Sequence, residues 1–110
     1  MLHLAWVNVY IVSAASGQKT LPWAQPALQK SATAEGKDSV VYYVTSSYDY
    51  CIDAIKNSDV NKWGEKIKLR EFEETRYSFI NKAFEHQTHM RGQTTIYIRL
   101  QGIRPPQEKL

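Results

Sequence analysis

The chain contains a single cysteine, Cys51, among its 110 residues. One thiol excludes an intrachain disulfide framework and is typical of a reducing compartment, so we expect a cytoplasmic protein. Cys51 falls among apolar positions of a helical stripe, and we expect it to be a small buried side chain rather than a nucleophile.

Long apolar runs are also missing from the sequence. No run reaches the roughly 18 residues that suggest a transmembrane helix, so we predict no membrane span. Residues 2–12 are largely apolar and residues 13–16 are small, a combination that imitates a secretory signal peptide and its cleavage site. Because no Lys or Arg precedes the apolar run, a signal peptide is the less favoured interpretation.

Charge of one sign is not concentrated anywhere. The 14 basic and 11 acidic residues are interleaved and give a formal net charge of +3. Without a dense basic block, we expect no nucleic-acid partner. The hydrophobic content of 43% is that of an ordinary globular chain, and the length predicts one domain, residues 1–110.

Three segments have helical periodicity, which predicts an all-α fold. The first runs from about Leu2 to Ala15 and is ended by Gly17. The second is capped by Asp38 or Ser39 and ends near residues 57–58, and its expected apolar stripe consists of Val41, Val44, Tyr48, Cys51 and Ile55. The third has Thr75 as its N-cap, runs from Arg76 to Gln101 and stops before Gly102 and Pro105–Pro106.

The two connections have different compositions. Residues 17–37 contain two prolines and two glycines and predict a loop, which we expect Trp23 to pin to the body. Because this loop is long for a compact domain, we expect it to carry a short helical turn or to cover a site. Residues 59–74 are charged and irregular, with a turn at Trp63–Gly64 and a short extended stretch at Lys66–Leu69.

One face of the third helix changes character along its length. Its stripe has apolar ends, which should face a core, and a polar middle whose side chains need hydrogen-bond or metal partners if they are buried. The residues of this stripe are Phe79, Ala83, His86, Met90, Gln93, Tyr97 and Leu100.

The three histidines of the chain could form a divalent-metal site. His86 and His89 are a turn apart on the third helix, and His3 can face them from the first helix. Three neutral imidazoles with an open position suit catalytic zinc or nickel, which acidifies a bound water or thiol. Spacing alone slightly favours the alternative, in which His86 is a hydrogen-bonded core residue and His89 a solvated one.

The C-terminal segment adds a family resemblance. Residues 86–106 read HQTHMRGQTTIYIRLQGIRPP. This segment resembles the final helix of the DinB-like (damage-inducible, YfiT-related) metalloprotein family, which usually reads H-x-x-H-H-R-G-Q, then an apolar Y-x-R-L stretch, Gly-Ile and a proline pair. The start of the chain, LHLAW, resembles the family's second helix, which supplies the first metal histidine.

The resemblance implies a four-helix bundle around a three-histidine divalent-metal centre, formed here by His3, His86 and His89. Some relatives are thiol transferases that add a low-molecular-weight thiol to an electrophile, so the implied partners are a small-molecule thiol or electrophile. Most members have no assigned reaction. We therefore expect a metal-dependent enzyme of the thiol-transferase or hydrolase kind, and a metal-binding or ligand-binding protein without turnover is the alternative.

The sequence departs from the family pattern in two ways. Met90 takes the place of the histidine before Arg-Gly-Gln, and a thioether is a poor ligand for zinc or nickel. Either His89 substitutes for that ligand, or the site is weakened or lost. Nothing before Met1 corresponds to the family's first helix, so we expect three helices of the four and an N-terminally truncated domain. The apolar groove left by a missing helix would favour a homodimer.

Overall fold

A computed structural model describes residues 1–107; the end of the predicted domain 1–110 lies outside this range. The described chain is mostly helical, with three long helices and one small sheet. The α-helices and β-strands are α1 (Leu2–Ser16), α2 (Lys37–Lys56), β1 (Lys66–Leu69), β2 (Phe72–Thr75) and α3 (Arg76–Leu100). All three predicted helices are confirmed to within about two residues. None of the helices within residues 1–107 is both long enough and apolar enough to cross a membrane.

Helix α1 is the central element of the fold. It packs against both α2 and α3, whereas α2 and α3 share few close contacts with each other. Leu4, Val9 and Val12 of α1 are almost completely buried. Burying each such side chain contributes about 1.5–3 kcal/mol, so α1 organises most of the core.

Helices α1 and α3 are antiparallel. At one end Arg76 donates hydrogen bonds from Nη1 to the carbonyl oxygens of Ala14 and Ala15, at 3.3 and 3.0 Å. At the other end the Thr94 hydroxyl lies 3.2 Å from the sulfur of Met1. This alignment brings the start of α1 beside the polar middle of α3.

The predicted core positions at the end of α3 are wrong. Tyr97 and Leu100 are 64% and 73% exposed. Helix α3 continues past Thr94, the point at which it meets Met1, and the last turns have no part of α1 beside them. The apolar end of the stripe therefore faces solvent. Phe79 and Ala83, at the other end of the stripe, are buried as predicted.

The predicted start of α2 and one position of its stripe need correction, whereas Val44, Cys51 and Ile55 pack against the core as predicted. The helix begins at Lys37 after Gly36, so neither Asp38 nor Ser39 is its cap. Val41 is 53% exposed instead of facing the core. The stripe that packs on α1 passes through Ser47, which is fully buried and satisfies its hydroxyl by donating to the Val44 carbonyl at 2.7 Å. Because Ser47 is polar, apolar periodicity gave no signal that it is buried.

The loop after α1 is ordered by apolar anchors. Trp23 packs edge-on against Tyr43 of α2, with ring centroids 5.2 Å apart, which confirms its predicted role. The loop carries two short 3-10 turns, Pro26–Lys30 and Ala32–Ala34, as its length suggested. The first turn buries Leu28 in the core cluster around α1, and it brings Gln29 close to the start of α1.

A β-hairpin precedes α3. Lys66–Leu69 is extended as predicted, and it pairs antiparallel with Phe72–Thr75, which was expected to be irregular. Leu69 pairs with Phe72, so Arg70 and Glu71 form the turn, and Arg70 has a φ of 57°. Thr75 then caps α3 as predicted, its hydroxyl accepting a hydrogen bond from the Ser78 amide at 3.1 Å.

Candidate metal and ligand site

His3 and His86 face each other across the α1–α3 contact. Their ring centroids are 5.3 Å apart and their planes are inclined by 59°. The antiparallel packing causes this meeting, because it sets the first turn of α1 beside the middle of α3. Two of the three predicted ligands are therefore neighbours, although 83 residues separate them in sequence.

The ring of His3 is oriented by a residue from the loop. Its Nδ1 lies 2.9 Å from Oε1 of Gln29, and the Trp6 indole donates to the same oxygen at 3.4 Å. Because an indole N–H can only donate, the shared Gln29 atom must be the acceptor oxygen. His3 therefore donates from Nδ1, and in its neutral form the lone pair is on Nε2.

His86 has a buried ring nitrogen. Its Nδ1 is shielded from solvent and has no hydrogen-bond partner among residues 1–107. Burial lowers the pKa of His86 below its ordinary value, and the neighbouring His3, His89 and Lys82 lower it further. The ring is therefore held neutral, which is the form that ligates metals. An unsatisfied buried polar group costs about 1–3 kcal/mol, so this position needs a reason.

His89 lies apart from this pair. Its side chain is exposed, one short turn beyond His86 on α3. Within residues 1–107 no three potential ligands from His, Cys, Asp and Glu are grouped closely enough to hold a metal ion. Met90, at the position where the family pattern has a histidine, is half-buried. The structure thus brings together His3 and His86 and leaves His89 on the surface.

A cavity of about 640 Å³ opens beside the histidine pair. Its walls are mainly apolar and come from α1, α3 and the hairpin, and the aromatic rings among them are those of His3, Trp6, Tyr10, Phe72, Phe79 and His86. Ligand pockets commonly measure about 300–1,000 Å³ and have apolar walls with a few polar groups. The two imidazoles are the polar groups at one part of this wall.

Neither Cys51 nor Tyr48 is prepared for acid–base or nucleophilic chemistry. Burial raises the pKa of the Cys51 thiol to about 12, so the thiol stays protonated near neutral pH, as expected of a buried structural cysteine. Burial also raises the pKa of Tyr48, against the opposing effect of Arg91. The Tyr48 hydroxyl donates to Oε1 of Gln87 at 3.1 Å and so links α2 to α3.

Sequence reasoning missed two parts of the site. Gln29 was inside a loop, and only the unusual length of that loop suggested a connection to a site. The hairpin wall of the cavity was missed because the second strand was not foreseen. Both parts are supplied by segments between the helices, where periodicity carries no information.

Comparison with known proteins adds no relative. No protein-family model matches the chain, and neither curated proteins nor solved structures contain a match. The resemblance of residues 86–106 to the DinB-like family therefore stays a prediction.

Proposed function

We propose that the chain is a divalent-metal-binding helical protein of the DinB-like kind, in which His3, His86 and His89 hold Zn²⁺ or Ni²⁺. The strongest support is the His3–His86 pair, whose rings lie 5.3 Å apart. A metal site would explain why α3 places an unpartnered ring nitrogen in a buried position.

The chemistry of the donor atoms fits such a cation. Gln29 fixes the tautomer of His3, which is the usual task of the residue behind a metal-ligating histidine. His86 is kept neutral by burial, so no proton has to be displaced from it. His89 is exposed and one short turn away, and we propose that it supplies the third imidazole by rotation of its side chain.

The favoured reaction is thiol S-transfer to an electrophile. When bound, the cation would lower the pKa of a thiol and favour the nucleophilic thiolate. The chain's own residues would hold the cation and keep the electrophile in the aromatic cavity, away from water. The thiol would come from a small-molecule cosubstrate, because the pKa of Cys51 is raised to about 12.

A non-catalytic metal-binding or ligand-binding protein is the second candidate. Met90 stands where the family pattern has a ligand, and His89 is on the surface. A site with two neighbouring imidazoles and one imidazole on the surface would bind a cation more weakly than a site that holds three histidines together. Such a site fits storage or sensing of a ligand as well as it fits turnover.

Metal titration of the purified chain tests the site. We expect calorimetry to show one Zn²⁺ or Ni²⁺ per chain and His86→Ala to abolish the binding. Gln29→Leu should weaken binding by about 10–100-fold, the usual effect of losing the partner of a ligating histidine. Gln101→Leu, at the exposed end of α3, is the matched control and should leave the affinity unchanged. Unaltered binding in His86→Ala would exclude this site.

Turnover separates the two candidates. The metal-loaded chain is mixed with a low-molecular-weight thiol and a model electrophile, and thioether formation is followed. Formation that depends on both the cation and His3 supports the transferase. Stoichiometric metal binding without any acceleration over the uncatalysed reaction supports the non-catalytic protein.

A further inference from the structure

The cavity beside the histidine pair has walls suited to a flat apolar molecule. Trp6 and Tyr10 line it from α1, Phe79 lines it from α3 and Phe72 lines it from the hairpin. The Trp6 and Tyr10 rings are inclined to each other, with centroids 5.9 Å apart. Aromatic walls of this kind bind the body of a ligand through area and ring contacts, without specifying its polar end.

Arg70 supplies a polar group for the other end of such a ligand. It lies in the hairpin turn with a φ of 57°, in the left-handed region that non-glycine residues seldom adopt. Its guanidinium carbon is 5.6 Å from the centroid of the Tyr10 ring. A cation–π contact is not a hydrogen bond, so the guanidinium N–H groups of Arg70 remain able to donate.

The charged residues at the cavity include one basic side chain without an ion-pair partner among residues 1–107. Arg70 and Lys82 line it as cations, and Glu74 lines it as an acid. Among residues 1–107 the Arg70 side chain makes its cation–π contact and no ion pair within 4 Å, with Glu74 or with any other acid. Lys82 is paired with Glu85 at 3.3 Å on the exposed face of α3. Arg70 is therefore the cation with unused hydrogen-bond donors at this wall.

We propose that the cavity binds a small aromatic carboxylate, with Arg70 gripping the carboxylate and the aromatic walls holding the body beside His3 and His86. Guanidinium and carboxylate match as two parallel hydrogen bonds, which gives orientation as well as affinity. Whether this ligand is a substrate depends on the proposed function. Binding of the carboxylate itself needs no cation.

A matched pair of probes tests the inference. 1-Naphthaleneacetate and 1-naphthaleneethanol share an aromatic body and differ in having a carboxylate or a neutral hydroxyl. Their affinities for the full chain are measured by calorimetry, once in EDTA and once with Zn²⁺. Arg70→Asn removes the cation while keeping a residue that tolerates the left-handed turn, so the hairpin should fold. Arg104→Asn, beyond the end of α3, changes the net charge equally and is the control.

We expect the carboxylate to bind at least about tenfold more tightly than the alcohol to the wild type and to Arg104→Asn, in EDTA and in Zn²⁺ alike. In Arg70→Asn the preference should fall to about twofold or less, while the alcohol affinity stays the same. Equal affinities in the wild type, no binding of either probe at millimolar concentration, or an undiminished preference in Arg70→Asn would each overturn the inference. A preference that requires Zn²⁺ would also overturn it, yet would leave the proposed metal site standing. A preference for the carboxylate in EDTA, together with no binding of Zn²⁺, would support the inference and exclude the proposed metal site.

Discussion

Replacing His86 with leucine should stabilise the metal-free protein. The wild-type ring buries an Nδ1 that has no hydrogen-bond partner among residues 1–107. Such a group costs about 1–3 kcal/mol, and leucine removes it while keeping apolar bulk at the position. The substitution also loses the ring contact with His3, which is worth about 0.5–1.5 kcal/mol. The balance is a gain of about 1 kcal/mol, or roughly 4–8 °C in Tm for a domain of about this size.

The assay is urea unfolding followed by circular dichroism, in EDTA near neutral pH. His89→Leu is the matched control, because His89 is exposed and its replacement should change the free energy of unfolding by less than about 0.5 kcal/mol. Adding Zn²⁺ should reverse the order of stability. The wild type gains about 2.7 kcal/mol when the free cation is at 100 times its Kd, and His86→Leu gains nothing.

A loss of more than about 1 kcal/mol by His86→Leu in EDTA would refute this reasoning. It would mean that the imidazole makes a favourable polar contact in the core, which is the alternative that helical spacing alone favoured. A residue kept for binding is expected to reduce the stability of the ligand-free protein, because its buried polar atoms have no hydrogen-bond partner until the ligand is bound.

Three further predictions concern the rest of the fold. Arg76→Met should lower the free energy of unfolding in urea by about 2–3 kcal/mol, because it removes two charge-assisted hydrogen bonds and a cation from the C-terminal end of α1. The control, Glu65→Gln, loses only an ion pair whose acid is 53% exposed and should cost less than about 0.5 kcal/mol. Equal losses of stability in the two variants would contradict the role of Arg76 at the helix end. Iodoacetamide should alkylate Cys51 at least about tenfold more slowly in the folded chain than in urea at mildly alkaline pH, since its folded pKa is about 12 against an ordinary 9.0. The same difference should reduce stability as the pH rises above 9.0, where only the unfolded thiol ionises; equal alkylation rates would show that the thiol is not buried. In sedimentation the chain should be a dimer that associates through the exposed end of α3, and Leu100→Glu should give monomers. The control, Tyr42→Glu, at a 59% exposed position of α2, should leave the dimer intact. A monomeric wild type would be inconsistent with this interface.

The helices could be predicted from the sequence because their ends carry strong local signals. Gly17 adopts a φ of 74° at the end of α1, and Thr75 caps α3 through its hydroxyl, as both residue types suggested. Register was harder to predict. Val44, Cys51 and Ile55 of the predicted α2 stripe pack against the core, whereas Val41 is 53% exposed. Periodicity identifies an apolar face but not where along it a neighbour is met, and it gave no signal for the buried Ser47.

Burial at the end of α3 could not be predicted from its own sequence. Tyr97 and Leu100 continue the apolar stripe of Phe79, yet the stripe is covered only where α1 runs beside it. Periodicity records which residues share a face, whereas burial depends on the length of the neighbouring element. The β2 strand was missed for a related reason, since Glu73 and Glu74 have low strand propensity and are held by pairing with β1.

The meeting of His3 and His86 could be predicted from the sequence, but the tautomer of His3 could not. The sequence placed His3 and His86 on two helices that can face each other, and the fold brings their rings to 5.3 Å. The tautomer of His3, however, depends on Gln29, whose single oxygen lies within reach of both His3 and Trp6. The Trp6 indole N–H requires the shared Gln29 atom to be the oxygen, and only a structure shows that His3 contacts the same atom. Because that oxygen directs the His3 proton to Nδ1, the lone pair on Nε2 is set by a loop that no helical pattern describes.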